Sequence, residues 1–216
     1  MTHAFDGDRS HGGSDSPHGG SDSPGGSAAG RGRGSADGAR DANLLGAFVL
    51  AVAERLDDAT REAAASGGAA PAALVALESF LDGSSIDTLR KPLGLTHSAA
   101  VRLVDRLVAA GLVRREPGAD ARSVAVFLTG AGRQASERVQ AGRMRALADV
   151  LSPLDAAERE QLARLHERLL GGLTSGRADA RHICRLCDSH ACGHERGLCP
   201  VTRAADRAEA ARAADS

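Results

Sequence analysis

Residues 84–129 read SSIDTLRKPLGLTHSAAVRLVDRLVAAGLVRREPGADARSVAVFLT. Ile86 and Leu89 are spaced to face inward on a short helix. The LGL at 93–95 is a turn, and Gly94 is free to take the positive φ that a tight bend requires. Thr96 or Ser98 then caps a second helix, because either hydroxyl can accept a bond from a free amide of the first turn. The expected inner face of that helix is Val101, Val104, Leu107 and Val108. Its outer face carries His97, Ser98, Arg102, Asp105 and Arg106, and Gly111 ends it. Two β-type runs follow, Leu112–Arg115 and Ser123–Leu128, on either side of the turn-rich EPGAD. Val124, Val126 and Leu128 alternate, the mark of a half-buried strand.

Helix, tight turn, helix and hairpin in this order make a winged helix-turn-helix. An α-helix fits the major groove of B-DNA, and residues of its first turns reach base edges. Charge agrees locally. Between Arg90 and Arg122 stand Arg90, Lys91, Arg102, Arg106, Arg114, Arg115 and Arg122, against Asp105, Glu116 and Asp120, a balance of +4. The whole chain has a formal net charge of −1, which hides this basic window.

The stretch resembles the MarR family of bacterial transcriptional regulators. The marks are VRLVDRLVAAG at Val101–Gly111, the D-x-R of Asp120 and Arg122, and the LT-x-x-G of Leu128, Thr129 and Gly132. The resemblance extends over roughly residues 42–175. It implies a homodimer, paired through helices at about 42–65, 130–150 and 155–171, that binds a near-palindromic operator in double-stranded DNA. By family tendency it would act as a repressor. It also implies that Thr96, His97, Ser98, Arg102 and Arg106 face bases or phosphates. Arg122 would be the wing contact and Asp120 a brace for the wing. Two features depart from the family pattern. Pro92 lacks an amide donor and is expected to shorten the first motif helix, and a cysteine cluster lies beyond the shared region.

Working outward, residues 1–41 are low in complexity, with HGGSDSP repeated in tandem, and are expected to be disordered. NLLGAFVLAVAERLDDATREAAA is helical by its apolar spacing. PAALVALESFLDG is a second helix, opened by Pro71 and stopped at Gly83. Thr129 is placed to cap a long helix over about 130–150. Asp155 and Glu158 resemble a capping box before the Leu162, Leu165, Leu169 and Leu170 stripe. Residues 176–202 form a Cys-rich segment, and 203–216 are expected to be a frayed or disordered tail. The fold class is therefore mainly α with a small β-hairpin wing, flanked by dimerisation helices.

All four cysteines of the 216-residue chain fall in that segment, spaced C-x2-C-x4-C-x6-C at Cys184, Cys187, Cys192 and Cys199. Four thiolates suit a tetrahedral structural zinc. They equally suit an iron–sulfur cluster, for which a Cys-Pro such as Cys199–Pro200 has precedent. A metal-free thiol switch is the third possibility. His182, His190 and His194 are interleaved as substitute ligands or supports. Metal or redox state there could alter how the last dimerisation helix packs, and so the spacing of two reading heads.

Composition limits the rest. With four Phe and no Trp or Tyr, the core must be Leu, Val and Ala, which favours packed helices. No apolar run nears the roughly 20 residues of a membrane span, and the N-terminus has no secretion-type segment. A cytoplasmic protein is expected, where clustered thiols stay reduced. No nucleophile–base pair, phosphate loop or carboxylate pair suggests an enzyme. The competing expectation is a zinc-stabilised, anti-sigma-like protein-interaction module that does not bind DNA. A small-molecule effector is possible, but no residue marks its site.

Overall fold

The computed structural model describes residues 31–64, 67–118 and 124–215. The chain divides into two units, Met1–Leu45 and Gly46–Ser216. Of the first, the described residues are the N-terminal part of helix α1 (Arg31–Ala64), and from Asp37 onward they are exposed. The helix thus begins at Arg31, earlier than the disordered tail expected to residue 41. Ala36, Ala39 and Ala42, with Arg40, supply enough helix propensity to carry Gly34 and Gly38.

The second unit holds the core. Helix α2 (Ala70–Ala76) opens with Pro71 in its first turn and continues as a π-turn over Leu77–Leu81. Gly83 follows at φ 73°. A two-residue strand β1 (Ser84–Ser85) leads into α3 (Ile86–Leu93) and α4 (His97–Ala109). Strands β2 (Val113–Pro117) and β3 (Val124–Leu128) form the hairpin. Helices α5 (Gly130–Leu151) and α6 (Ala156–Gly172) come next. A short α7 (Arg177–Ile183) and a final α8 (Pro200–Ala214) flank the cysteines. The antiparallel sheet has the order β1-β3-β2, with Val113 opposite Leu128 and Ser84 opposite Val126.

One apolar core joins α2, α3, α4, the sheet and the start of α5 through Leu74, Leu77, Leu89, Leu103, Leu107 and Val126. The inner face of α4 differs from the expected one. Ala100, Leu103, Val104 and Leu107 are buried, Val101 is only partly covered, and Val108 is 38 % exposed. The buried set follows the i, i+3, i+4, i+7 pattern of a packed helix face. It puts Ala100 and Leu103 into the core where the sequence reading put Val101 and Val108, while Val104 and Leu107 are buried as expected. Val124 is likewise exposed, because it pairs with Pro117 at the outer end of the hairpin, beyond the core. Ala125, on the opposite face, is buried because β3 is the central strand.

Local chemistry fixes the junctions. Thr96, not Ser98, is the N-cap of α4, its Oγ1 accepting from the Ala99 amide at 3.3 Å. Pro92 does not shorten α3. The helix runs on to Leu93 and stops at Gly94, φ 65°, with the Gly94 and Leu95 amides returning to the Lys91 and Arg90 carbonyls. The capping box of α6 is present, with Asp155 Oδ1 accepting from the Glu158 amide and Glu158 Oε2 from the Asp155 amide. The LT-x-x-G stretch is a structural corner. Thr129 Oγ1 donates to the Gly111 carbonyl at 2.7 Å and accepts from the Gly132 amide at 3.0 Å. A Cβ on Gly132 would fall 1.9 Å from the Leu112 carbonyl oxygen. Gly132→Ala is therefore expected to destabilise the chain by about 1–3 kcal/mol through overpacking against backbone. Chemical denaturation checks this, and an unchanged midpoint would mean that α5 does not start against Leu112.

Residues 203–214 are not a loose tail. Pro200 opens α8, and Val201, Ala204 and Ala205 bury an apolar edge. The helix packs on α6 and α7, and Arg177 is paired with Asp206 at 2.5 Å and Glu209 at 3.1 Å. The alanine-rich composition was the signal for this helix. Among the described residues, no helix is long and apolar enough to cross a membrane.

Candidate functional site

The outer surface of α4 follows from its inner one. Burying Ala100, Leu103, Val104 and Leu107 turns His97, Ser98, Arg102, Asp105 and Arg106 to solvent. Thr96 and Ser98 share a hydroxyl contact of 3.3 Å at the start of the helix. Thr96 is thus occupied by capping, which leaves Ser98, His97 and the arginines as the more available groups.

Ion pairing sorts the basic window. Arg90 and Lys91 both face Asp87, at 2.6 and 3.7 Å. The Arg90 hydrogen bond holds the Asp87 carboxyl below its ordinary range. Arg114 is paired with Glu116 at 3.0 Å and lies over the Phe127 ring at 4.8 Å. Arg115 donates to Asp105 at 2.7 Å, so Asp105 is the salt-bridge partner of a neighbouring arginine that its position suggested. This bond also ties α4 to β2. Among the described residues, Arg102 and Arg106 have no carboxylate partner. Asp120 and Arg122 lie outside the described residues.

The cysteine segment is a separate construction. The Sγ-bearing residues Cys184, Cys187, Cys192 and Cys199 all line one cavity of about 320 Å³, together with Arg177, Arg181 and His194. They are free thiols arranged in two pairs. The Cys184 thiol is pushed up by its hydrogen bond to Cys187 and by burial. Cys187 is lowered to about 6 by that same bond, against burial and with help from Arg143 and Arg185. Cys192 is raised by burial and by the charge of Cys199. At Cys199 burial acts upward, but donors from Thr202, Val201 and Cys192 outweigh it, and the thiol is lowered. Cys199 is the N-cap of α8, a position that favours a thiolate. Among the described residues, no three His, Cys, Asp or Glu side chains gather closely enough to hold a single metal ion.

The segment touches the end of α6, as the sequence suggested, through Leu170, and it has further neighbours that the sequence did not suggest. It follows α6, yet α7 packs on α3, and the turn Cys184–Leu186 packs on α2. His182 Nδ1 donates to the Pro92 carbonyl at 2.8 Å. Gln140 Nε2, on α5, donates to the Cys187 carbonyl at 3.3 Å. His194 Nδ1 meets Thr202 Oγ1 at 3.0 Å, and His190 is exposed. Sequence reasoning missed the roles of His182 and Gln140. Both act across long separations, and no local spacing announces them.

Fold and exposed face together define a winged helix-turn-helix protein. Residues 68–123 match the family model described as MarR family. Solved structures agree over the body of the chain. The YusO protein from Bacillus subtilis is 25% identical with a TM-score of 0.53, the match covering 60% of this chain and 92% of that one. RV1404 from Mycobacterium tuberculosis is 26% identical at a TM-score of 0.52, covering 64% and 93%. The reduced form of MarR from E. coli is 27% identical at 0.52, covering 58% and 96%. No curated protein sequence matches the chain. Over residues 68–123 the chain is thus similar to the winged helix of the MarR family, and its fold is that of the solved MarR-type structures.

Proposed function

We propose that the chain is a sequence-specific DNA-binding transcriptional regulator of the cytoplasm, acting as a homodimer on a near-palindromic operator and serving there as a repressor. The observation that carries this reading is the outer face of α4. On a MarR-like winged helix, Arg102 and Arg106 stand exposed and, among the described residues, unpaired, while the neighbouring cations are neutralised within the protein. His97 and Ser98, at the start of the same helix, complete a surface of hydrogen-bonding groups suited to the major groove. Arg122 would reach the minor groove from the wing, braced by Asp120.

Dimerisation is supported by apolar side chains with no cover within the chain. Phe48, Val49 and Leu50 on α1 are 45 %, 54 % and 70 % exposed, and Leu165 and Leu169 on α6 are 44 % and 53 % exposed. No residue of α6 is buried. Such stripes on helices mark an interaction surface. Sedimentation at micromolar protein should give a dimer for the wild type, shifted toward monomer by combining Leu165→Glu with Leu169→Glu. A wild-type monomer overturns the two-fold model.

The test of function is binding to duplexes from the chain's own upstream region over a series of salt concentrations. Log affinity should fall with log salt at about −0.9 per phosphate contacted. A specific duplex should exceed random sequence by about 10³-fold or more. A flat salt response with no preference would favour the protein-interaction alternative.

A further inference from the structure

Among the described residues, the cysteine cavity is a motif that the winged helix leaves unexplained. A single zinc with four thiolates draws its ligands to about 2.3 Å, which sets the sulfurs roughly 3.8 Å from one another. The described thiols do not form that knot. They stand as two pairs, Cys184 with Cys187 and Cys192 with Cys199, on the walls of a shared cavity of about 320 Å³. This space has room for a polynuclear centre that reaches both pairs. Iron–sulfur clusters are held by four cysteine thiolates, and a Cys followed by Pro closes one bacterial ligand run, although its spacing differs from the C-x2-C-x4-C-x6-C of this chain. Here that ending has a structural cause. Pro200 opens α8, and Cys199 occupies its N-cap, where the helix amides favour negative sulfur. Arg177 and Arg181 line the same cavity and offset the charge of an anionic centre.

The loop that carries the first pair is fastened to α3, the main core and α5. His182 donates to the Pro92 carbonyl. The Arg90 and Lys91 carbonyls are taken by the turn's own amides. Pro92 offers a further carbonyl at the end of the same helix, which needs a partner from outside it. Leu186 packs against the main core, and Gln140 holds the Cys187 carbonyl. A change in the placement of Cys184 and Cys187 therefore acts on α3, the helix that seats α4.

We propose that Cys184, Cys187, Cys192 and Cys199 ligate an iron–sulfur cluster in this cavity, and that the assembled cluster sets the position of the reading helices through the His182–Pro92 bond. The second half rests on the DNA-binding reading above. His182 is a positioning residue here and not a ligand.

The test begins with full-length protein purified without air. Iron and acid-labile sulfide should be present in comparable amounts, with a broad visible absorption. Cys184→Ser with Cys187→Ser should lose both. If that variant fails to fold, the wild type stripped by a chelator and rebuilt with ferrous iron and sulfide gives the same comparison. Colourless protein with zinc, or protein that takes up no iron and sulfide on rebuilding, overturns the cluster. Operator affinity is then compared between cluster-loaded and cluster-free protein. A difference of about 5–150-fold is expected for the wild type, the usual span of allosteric coupling. It should shrink toward unity in His182→Ala, whose iron content stays that of the wild type. A difference that survives in His182→Ala, or none in the wild type, overturns the relay. Failure of every form to bind DNA overturns the regulator reading and the relay with it, while iron and sulfide content still decides the cluster.

Discussion

Replacing Leu103 by Ala is expected to lower the unfolding free energy by about 2–5 kcal/mol, the usual cost of a buried Leu→Ala change. Leu103 is 1 % exposed and sits at the centre of the inner face of α4. Its neighbours are Leu, Val and Ala, with Leu74, Leu77 and Leu89 across the core. Alanine-rich helices are already close to one another, so the cavity has little chance to collapse. The control is Val108→Ala on the same helix, at a side chain 38 % exposed. It should cost well under half as much. Denaturant midpoints at unchanged slope separate the two. Equal losses would mean that α4 is rotated about its axis, and every assignment of its outer face would go with it.

The second large effect concerns binding. Arg102→Ala should weaken operator affinity by about 5–150-fold, or roughly 1–3 kcal/mol, if the guanidinium reads a base edge. Preference for operator over random duplex should fall in parallel. Arg106→Ala should act more evenly on all sequences and reduce the salt slope by about one unit, as loss of a phosphate contact does. Both side chains are exposed and unpaired among the described residues, so thermal stability should stay within about 0.5 kcal/mol of wild type. Arg115→Ala is the informative comparison. Its charge is spent on Asp105, and its loss frees a carboxylate beside the DNA face. An unchanged affinity in Arg102→Ala and Arg106→Ala together would remove α4 as the reading element.

What was legible in the sequence was what depends on near neighbours. Gly94, Thr96, Thr129, Pro71 and the Asp155–Glu158 pair each act within four residues, and each ends or begins an element where its chemistry required. The apolar period gave α4 its length but not its rotation. Val and Leu are alike to a hydropathy pattern, and only packing against α2 and α3 decides which of Val101, Leu103 and Val108 is covered. The strand β1 was invisible because two serines carry no pattern of their own and pair only because β3 has a free edge. The cysteine segment was found by spacing alone. Its seat against α2, α3 and α5 was not, since α7 follows α6 in sequence while His182 reaches back 90 residues to Pro92. The helical character of residues 203–214 was underread because charge-rich alanine sequence suits a tail as well as a helix with one buried edge.

That short strand has a mechanical result. Ser84 and Ser85 hydrogen-bond along β3, and Ser85 also caps α3, while Arg115 clasps Asp105 from the other side of the hairpin. The hairpin and both motif helices are thereby stitched into one rigid calliper. Its jaws are held from β1 and β2, so the angle at which the helix is offered is set by Ser85 and Arg115.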